Sequence, residues 1–238
     1  MRKTLLVIAA CMLSFHIATA QEKPQVKRTD PQTSDLFKVL ETMDVYMYRF
    51  DLRDFLNDKY NITAYIDEYE PGKEPKRIYN ANLGDNIRSL SEIPEQYRED
   101  FRKEKQVPEG KDEWENIKEM SVYITKQNDS IGVLTIYIPE GLTASRRLSL
   151  RQLESEGFKT YLYRPRPFKF NETGIEEGQE TPLVLYASAW VDEIYKVMRF
   201  CGEKEIDPEM QARILTHVPH YYIFGLKFQK VSESVVDF

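Results

Sequence analysis

Two runs, Met120–Lys126 and Ile131–Ile138, face each other across the break Gln127-Asn128-Asp129-Ser130. The first alternates apolar and polar residues with the period of two that a strand satisfies and a helix does not. The break between them is turn chemistry. A β-hairpin at this place is the strongest constraint on what the chain can become. Its return strand carries Ile131, Val133, Leu134, Ile136 and Ile138, which is apolar on both faces, so it is expected centrally in a sheet.

The same reasoning extends outward. Tyr60–Tyr69 reads as a strand, Glu70-Pro71-Gly72-Lys73 as its turn and Arg77–Leu83 as the return. Tyr46, Tyr48, Phe50 and Leu52 alternate, and a strand is preferred because aromatic residues suit a pleated face, with a longer helix through Met43, Met47 and Phe50 as the alternative. Phe158–Tyr163, Leu183–Val191, Lys196–Cys201 and Tyr221–Gln229 are further expected strands. Helical spacing links Leu36, Phe37, Leu40 and Met43 after Ser34, an expected N-cap, and links Ile93, Tyr97 and Phe101 within Ser91–Lys105. Asp207-Pro208-Glu209 combines a capping acid, proline at the first helical position and an acid in the first turn, which predicts a helix to about Leu215 before Pro219. The expectation is therefore an α+β fold, mostly antiparallel, with about nine strands and about three helices joined by short hairpins. It would occupy 34–238 as a single domain, with a subdivision near 139–141 as the alternative. A content of 41% hydrophobic and 12% aromatic residues excludes a disordered chain.

The N-terminus has a separate purpose. Met-Arg-Lys-Thr, an apolar run from Leu5, and Ala18-Thr19-Ala20 have the anatomy of a cleaved secretory signal, followed by a polar tether over 21–33. Ile8-Ala9-Ala10-Cys11 resembles a lipobox, so lipid anchoring at Cys11 is the alternative. Without residues 1–20 the chain keeps one cysteine, Cys201, and no intramolecular disulfide can form. That points to a bacterial envelope rather than a eukaryotic secretory route. Gln21 directly after the cut resembles exported proteins of Gram-negative gut anaerobes, a likeness confined to the leader. No segment after the leader is apolar enough for a membrane helix, and the alternation leading to Phe238 is too poor for an outer-membrane barrel strand.

Charge is uneven in a chain of net −6. Between Thr143 and Phe170 stand Arg146, Arg147, Arg151, Lys159, Arg164, Arg166 and Lys169 against only Glu154 and Glu156, with Tyr161 and Tyr163 among the interleaved aromatics. Guanidinium groups offer paired donors to anions, and tyrosine faces stack on sugars. The expected ligand-binding set is Arg146, Arg147, Tyr161, Tyr163, Arg164, Arg166 and Lys169. In an exported protein the partner would be an acidic glycan or another envelope protein, not nucleic acid. The bland alternative is a solvated strand face.

Cys201, His217 and His220 are the candidates for catalysis, as a thiol with an imidazole base, in a hydrolase or transferase. With an acid they could also hold zinc, but proline breaks His217-Val218-Pro219-His220 and no regular helix face joins the pair, so no metal site is assigned. Asp67-Glu68 and Asp192-Glu193 are acid pairs without an assigned role. No phosphate loop, Gly-x-Gly-x-x-Gly or Gly-x-Ser-x-Gly occurs, and no cofactor is expected. The functional expectation is a non-catalytic envelope binding protein, with the thiol enzyme and a structural subunit of an envelope assembly as rivals.

Overall fold

The computed structural model describes residues 26, 28–155, 157–170, 174–200 and 202–231. Cys201, residues 1–25 and residues 232–238 lie outside them. The chain divides after Leu36, and both large sheets belong to Phe37–Phe238. Helix α1 (Thr33–Thr42) begins one residue before Ser34, and Asp35, not Ser34, takes the Gln32 N–H at 2.8 Å.

Strand β1 (Val45–Asp51) follows, then the first hairpin, β2 (Tyr60–Tyr69) with β3 (Lys76–Asp85). Pro71 and Gly72 form its turn: Gly72 has φ 71°, and Lys73 N–H donates to the Glu70 carbonyl at 3.1 Å. The short β4 (Ile87–Ser89), α2 (Arg98–Glu104) and β5 (Glu113–Glu115) enclose a satellite core of Leu90, Ile93, Val107 and Trp114, against which Phe101 packs. Tyr97 points away and is exposed. The hairpin of β6 (Glu119–Asn128) and β7 (Ile131–Tyr137) stands where the alternation predicts, and β8 (Thr143–Ser149), β9 (Leu153–Ser155), β10 (Phe158–Thr160) and β11 (Tyr163–Pro167) follow. The chain closes with β12 (Glu180–Ser188), β13 (Trp190–Asp192), β14 (Val197–Arg199) and β15 (Tyr221–Lys230).

Two large antiparallel sheets result, one ordered β1-β6-β7-β8 and the other β11-β12-β15-β2-β3, with two-stranded pairs β4-β5, β9-β10 and β13-β14 beside them. Their inward residues share one core: Phe50, Val122, Ile124, Leu134, Ile136 and Leu148 from the first sheet, and Ile62, Ala64, Ile66, Tyr222, Phe224 and Leu226 from the second. This is the packing of a β-sandwich. The five-stranded sheet is covered on its other face too, because Phe168, Ile206, Ala212, Ile214 and Val218 lie on Tyr65, Leu185, Ala187 and Ile223. That explains why β12 and β15 are apolar on both faces. Strand β7 sits inside its sheet as expected, but its outer residues Val133 and Tyr137 remain in contact with solvent.

The architecture is thus α+β and dominated by strands. The count needs correction: the described residues hold fifteen strands and two α-helices, not about nine and three. Six of the fifteen strands have three residues each, too short to show a period, and β8 buries only Leu148. The helix expected from Asp207 stops within one turn. Asp207 does cap, accepting Glu209 N–H at 3.0 Å, but Met210 is left-handed at φ 61°, and only a 3-10 turn, Arg213–Thr216, follows. The apolar residues of this segment are drawn onto the sheet face instead.

Candidate functional site: an aromatic trough at the mouth of the sandwich

Strand β1 ends one edge of the four-stranded sheet, and the β11–β12 connection passes beside it. Between them the sandwich opens. Two clefts of about 810 and about 530 Å³ share Arg49, Phe50, Lys169 and Phe170, and so form one continuous trough. Its waist is the edge-to-face pair of Phe50 and Phe170, with centroids 6.1 Å apart. Deeper in, Phe55 stacks on Phe228 at 4.0 Å, and Tyr60 meets Phe55 edge-on at 5.7 Å. Phe170 is 52% exposed and offers the open aromatic surface; Phe55 and Tyr60 are half-buried.

The polar rim is specific. Arg49 is held by Glu119, Asp51 by Arg53 and Glu180 by Arg77. Asp54, Glu176, Glu205 and Lys169 make no ion pair among the described residues. Three carboxylates against one ammonium leave the trough mildly acidic. Burial pushes the Tyr48 hydroxyl at its upper end to about 12, with Glu41 adding to the rise, so it stays a neutral hydrogen-bonding group.

Of the seven residues expected to bind, Lys169 alone lines this trough. Arg146 and Arg147 are exposed on β8 and carry no ion pair among the described residues. They lie at the opposite edge of the four-stranded sheet from β1, three strand spacings or roughly 14 Å away. Such charges on an edge strand discourage edge-to-edge pairing. Arg164 donates to Asp44 Oδ1 at 2.9 Å and the Glu41 carbonyl at 3.3 Å, and lies 5.6 Å from the centre of the Tyr46 ring. Tyr161 packs half-buried against the inter-sheet core.

Two of the expected contacts are corrected outright. Arg166 is buried and donates to the carbonyls of Phe200 at 2.5 Å and Glu203 at 3.1 Å. Tyr163 is also buried, so it is no stacking platform. Pro165 and Pro167 do sit on an edge strand, but β11 turns its arginines inward to fasten neighbouring loops. Arg166→Ala should therefore lower unfolding free energy by about 1–2 kcal/mol in urea denaturation, since it removes the two charge-assisted hydrogen bonds that hold the Phe200 and Glu203 carbonyls to β11. Arg146→Ala/Arg147→Ala should stay within about 0.5 kcal/mol of the parent protein.

Adjacent residues on a strand face opposite ways, which separates the acid pair Asp67-Glu68. Asp67 lies on the sheet's other, covered face, where it is buried and gripped by Arg77, which also holds Glu180. Glu68 faces inward, where His220 Nε2 lies 3.0 Å from its Oε1, and Tyr222 and Arg151 lie at 3.2 and 3.3 Å. Tyr163 Oη stands 2.5 Å from His220 Nδ1 and accepts the Arg151 N–H at 2.9 Å. Tyr163 thus donates its O–H to Nδ1, and the histidine donates its Nε2–H to Glu68. The order Tyr–His–Glu resembles a proton relay. However, burial raises the Tyr163 hydroxyl far above its usual range, and none of the clefts described here reaches it. It is a clasp between β2, β11, β15 and the β8–β9 connection.

His217, by contrast, is exposed and stacks on Trp190, with centroids 6.0 Å apart. The two histidines therefore sit in unlike surroundings, and Cys201 lies outside the described residues. No group of three or more His, Cys, Asp or Glu fit to hold a metal occurs among the described residues, and no helix among them is long and apolar enough to cross a membrane. The sequence model of the family described as Domain of unknown function (DUF5041) matches residues 15–230. The chain belongs to the DUF5041 family. No curated protein and no solved structure matches it. The DUF5041 match runs through both sheets of the sandwich and all of the trough-lining segments.

Proposed function

We propose that this DUF5041 protein is an exported, non-catalytic protein of a Gram-negative envelope, and that its trough binds an extended carbohydrate. The reading rests on one observation: a half-exposed ring, Phe170, stands over an aromatic floor beside carboxylates that have no ion-pair partner among the described residues. Aromatic faces pack on the C–H faces of pyranose rings, and carboxylates accept from sugar hydroxyls. The Met1–Ala20 leader supports the compartment.

This departs from the acidic glycan suggested by composition. Arg164 and Arg166, the intended anion clamp, are used inside the protein, and the trough's open charges are mostly negative. A neutral polysaccharide avoids that repulsion. Phe170→Ala should weaken binding of a soluble neutral β-glucan about tenfold in affinity electrophoresis, while Arg146→Ala/Arg147→Ala leaves it unchanged. Equal retention by all three proteins would overturn the assignment, as would a preference for alginate, a polyuronate, over the neutral glucan.

A further inference from the structure

One wall of the trough is an open sheet edge. Strand β1 is outermost in its sheet, with β6 on one side and no strand on the other. The bonds at its two ends fix its phase. Leu52 N–H donates to the Lys118 carbonyl at 2.9 Å, and the Asp44 carbonyl accepts Lys126 N–H at 3.3 Å. With Val45 opposite Thr125 and Asp51 opposite Glu119, the even-numbered residues of β1 are the ones hydrogen-bonded to β6. The backbone N–H and C=O groups of Met47, Arg49 and Asp51 therefore point out of the open edge. No hydrogen bond from another described residue reaches them. Arg49 and Asp51 also line the trough, beside Phe50 and Phe170. The neighbouring strand cannot close this edge, because Pro165 and Pro167 leave β11 short of N–H donors.

Backbone donors and acceptors thus border an aromatic floor. The natural complement of a strand edge is another amide, which brings one N–H and one C=O together. A peptide strand carries such groups, and so does a sugar bearing an acetamido substituent. The rest of the trough decides between them. Asp54, Glu176 and Glu205 make no ion pair among the described residues, and an ionised carboxylate only accepts hydrogen bonds. These groups call for hydroxyl donors, which a sugar chain carries on its rings and a peptide backbone lacks. An acetamido group is also neutral, so it adds no charge against the acidic rim.

We infer, on the carbohydrate reading of the trough, that its ligand is a glycan of N-acetylated hexosamine units, with an acetamido group hydrogen-bonded to the β1 edge at Arg49. Isothermal titration calorimetry of the full chain with chitohexaose and cellohexaose tests it. The two oligomers share length and linkage, and differ in carrying acetamido or hydroxyl at one ring carbon. Chitohexaose should bind about tenfold tighter, as expected of added amide hydrogen bonds. Arg49→Pro deletes the edge N–H at a position where an edge strand tolerates proline, whereas Arg49→Ala removes the side chain and keeps the N–H. The preference should vanish in Arg49→Pro and survive in Arg49→Ala. Equal affinity of the parent protein for both oligomers would overturn the inference while leaving the trough a glycan site. Binding of neither would overturn the carbohydrate reading with it. A preference that persists in Arg49→Pro, or is lost in Arg49→Ala, would remove the β1 edge as the contact. Tighter binding of a Thr-Val repeat peptide than of chitohexaose would replace the glycan with an added strand.

Discussion

Gly225→Ala should lower the unfolding free energy by roughly 3–5 kcal/mol, the largest effect expected of any single methyl group in this chain. Gly225 lies in β15, the middle strand of the five-stranded sheet, opposite Tyr65 on one side and Pro182 on the other. A Cβ there would fall well inside van der Waals contact with the Thr181 carbonyl oxygen and with Cζ and Oη of Tyr65. Neither neighbour can yield easily. Tyr65 is buried beneath the Arg77 guanidinium, 4.4 Å from its ring centre, and Arg77 is itself fixed by Asp67 and Glu180. The carbonyl belongs to the backbone of β12, where the register already shifts between Pro182 and Val184. Accommodating one carbon means parting two central strands. Urea denaturation measures the loss, and Tyr65→Ala in the same background should recover only part of it, because the Thr181 clash remains. A cost below about 1 kcal/mol would show that β12 and β15 are less tightly joined than described.

Removing the imidazole of His220 should cost about 3–4 kcal/mol, from a buried cavity and from Tyr163 and Glu68 losing their common partner. It should also change how stability follows pH. Burial lowers the His220 pKa below its usual value, although Glu68 and Glu70 oppose the shift, while the Arg151 cation adds to it. The unfolded chain therefore binds the proton more readily than the folded one. The native advantage is complete above about pH 6.5 and is lost as pH falls below that value toward the lower folded pKa. His220→Ala should be less stable at neutral pH and should lack this decline. Guanidinium denaturation at a series of pH values measures both, and a variant whose stability still falls between about pH 6.5 and 5 would move the titration to another group.

The clearest sequence signals were local ones. Pro71-Gly72 and Asn128-Asp129-Ser130 carry their turn geometry in the residues themselves, and the hairpins they join stand where period-two alternation predicts. Strand β8 escapes that reasoning because Arg146, Arg147 and serines fill an edge strand with a single buried side chain. The 207–215 segment carries a sound helix start, but its apolar residues are claimed by the sheet face after Met210 turns left-handed. The trough is less legible still. Its rings come from 48–60, 167–170 and Phe228, and only strand pairing brings them together. The basic segment fails as a predictor for the converse reason: sequence displays Arg164 and Arg166 but hides their partners, Asp44 and the carbonyls of Phe200 and Glu203.

Hydrogen–deuterium exchange in the presence and absence of a neutral β-glucan maps the contact surface without any substitution. Slower exchange should appear in 48–60 and 174–183, the two walls of the trough, with Thr143–Ser149 unaffected. Protection confined to Thr143–Ser149, or no protection anywhere, would contradict the carbohydrate trough.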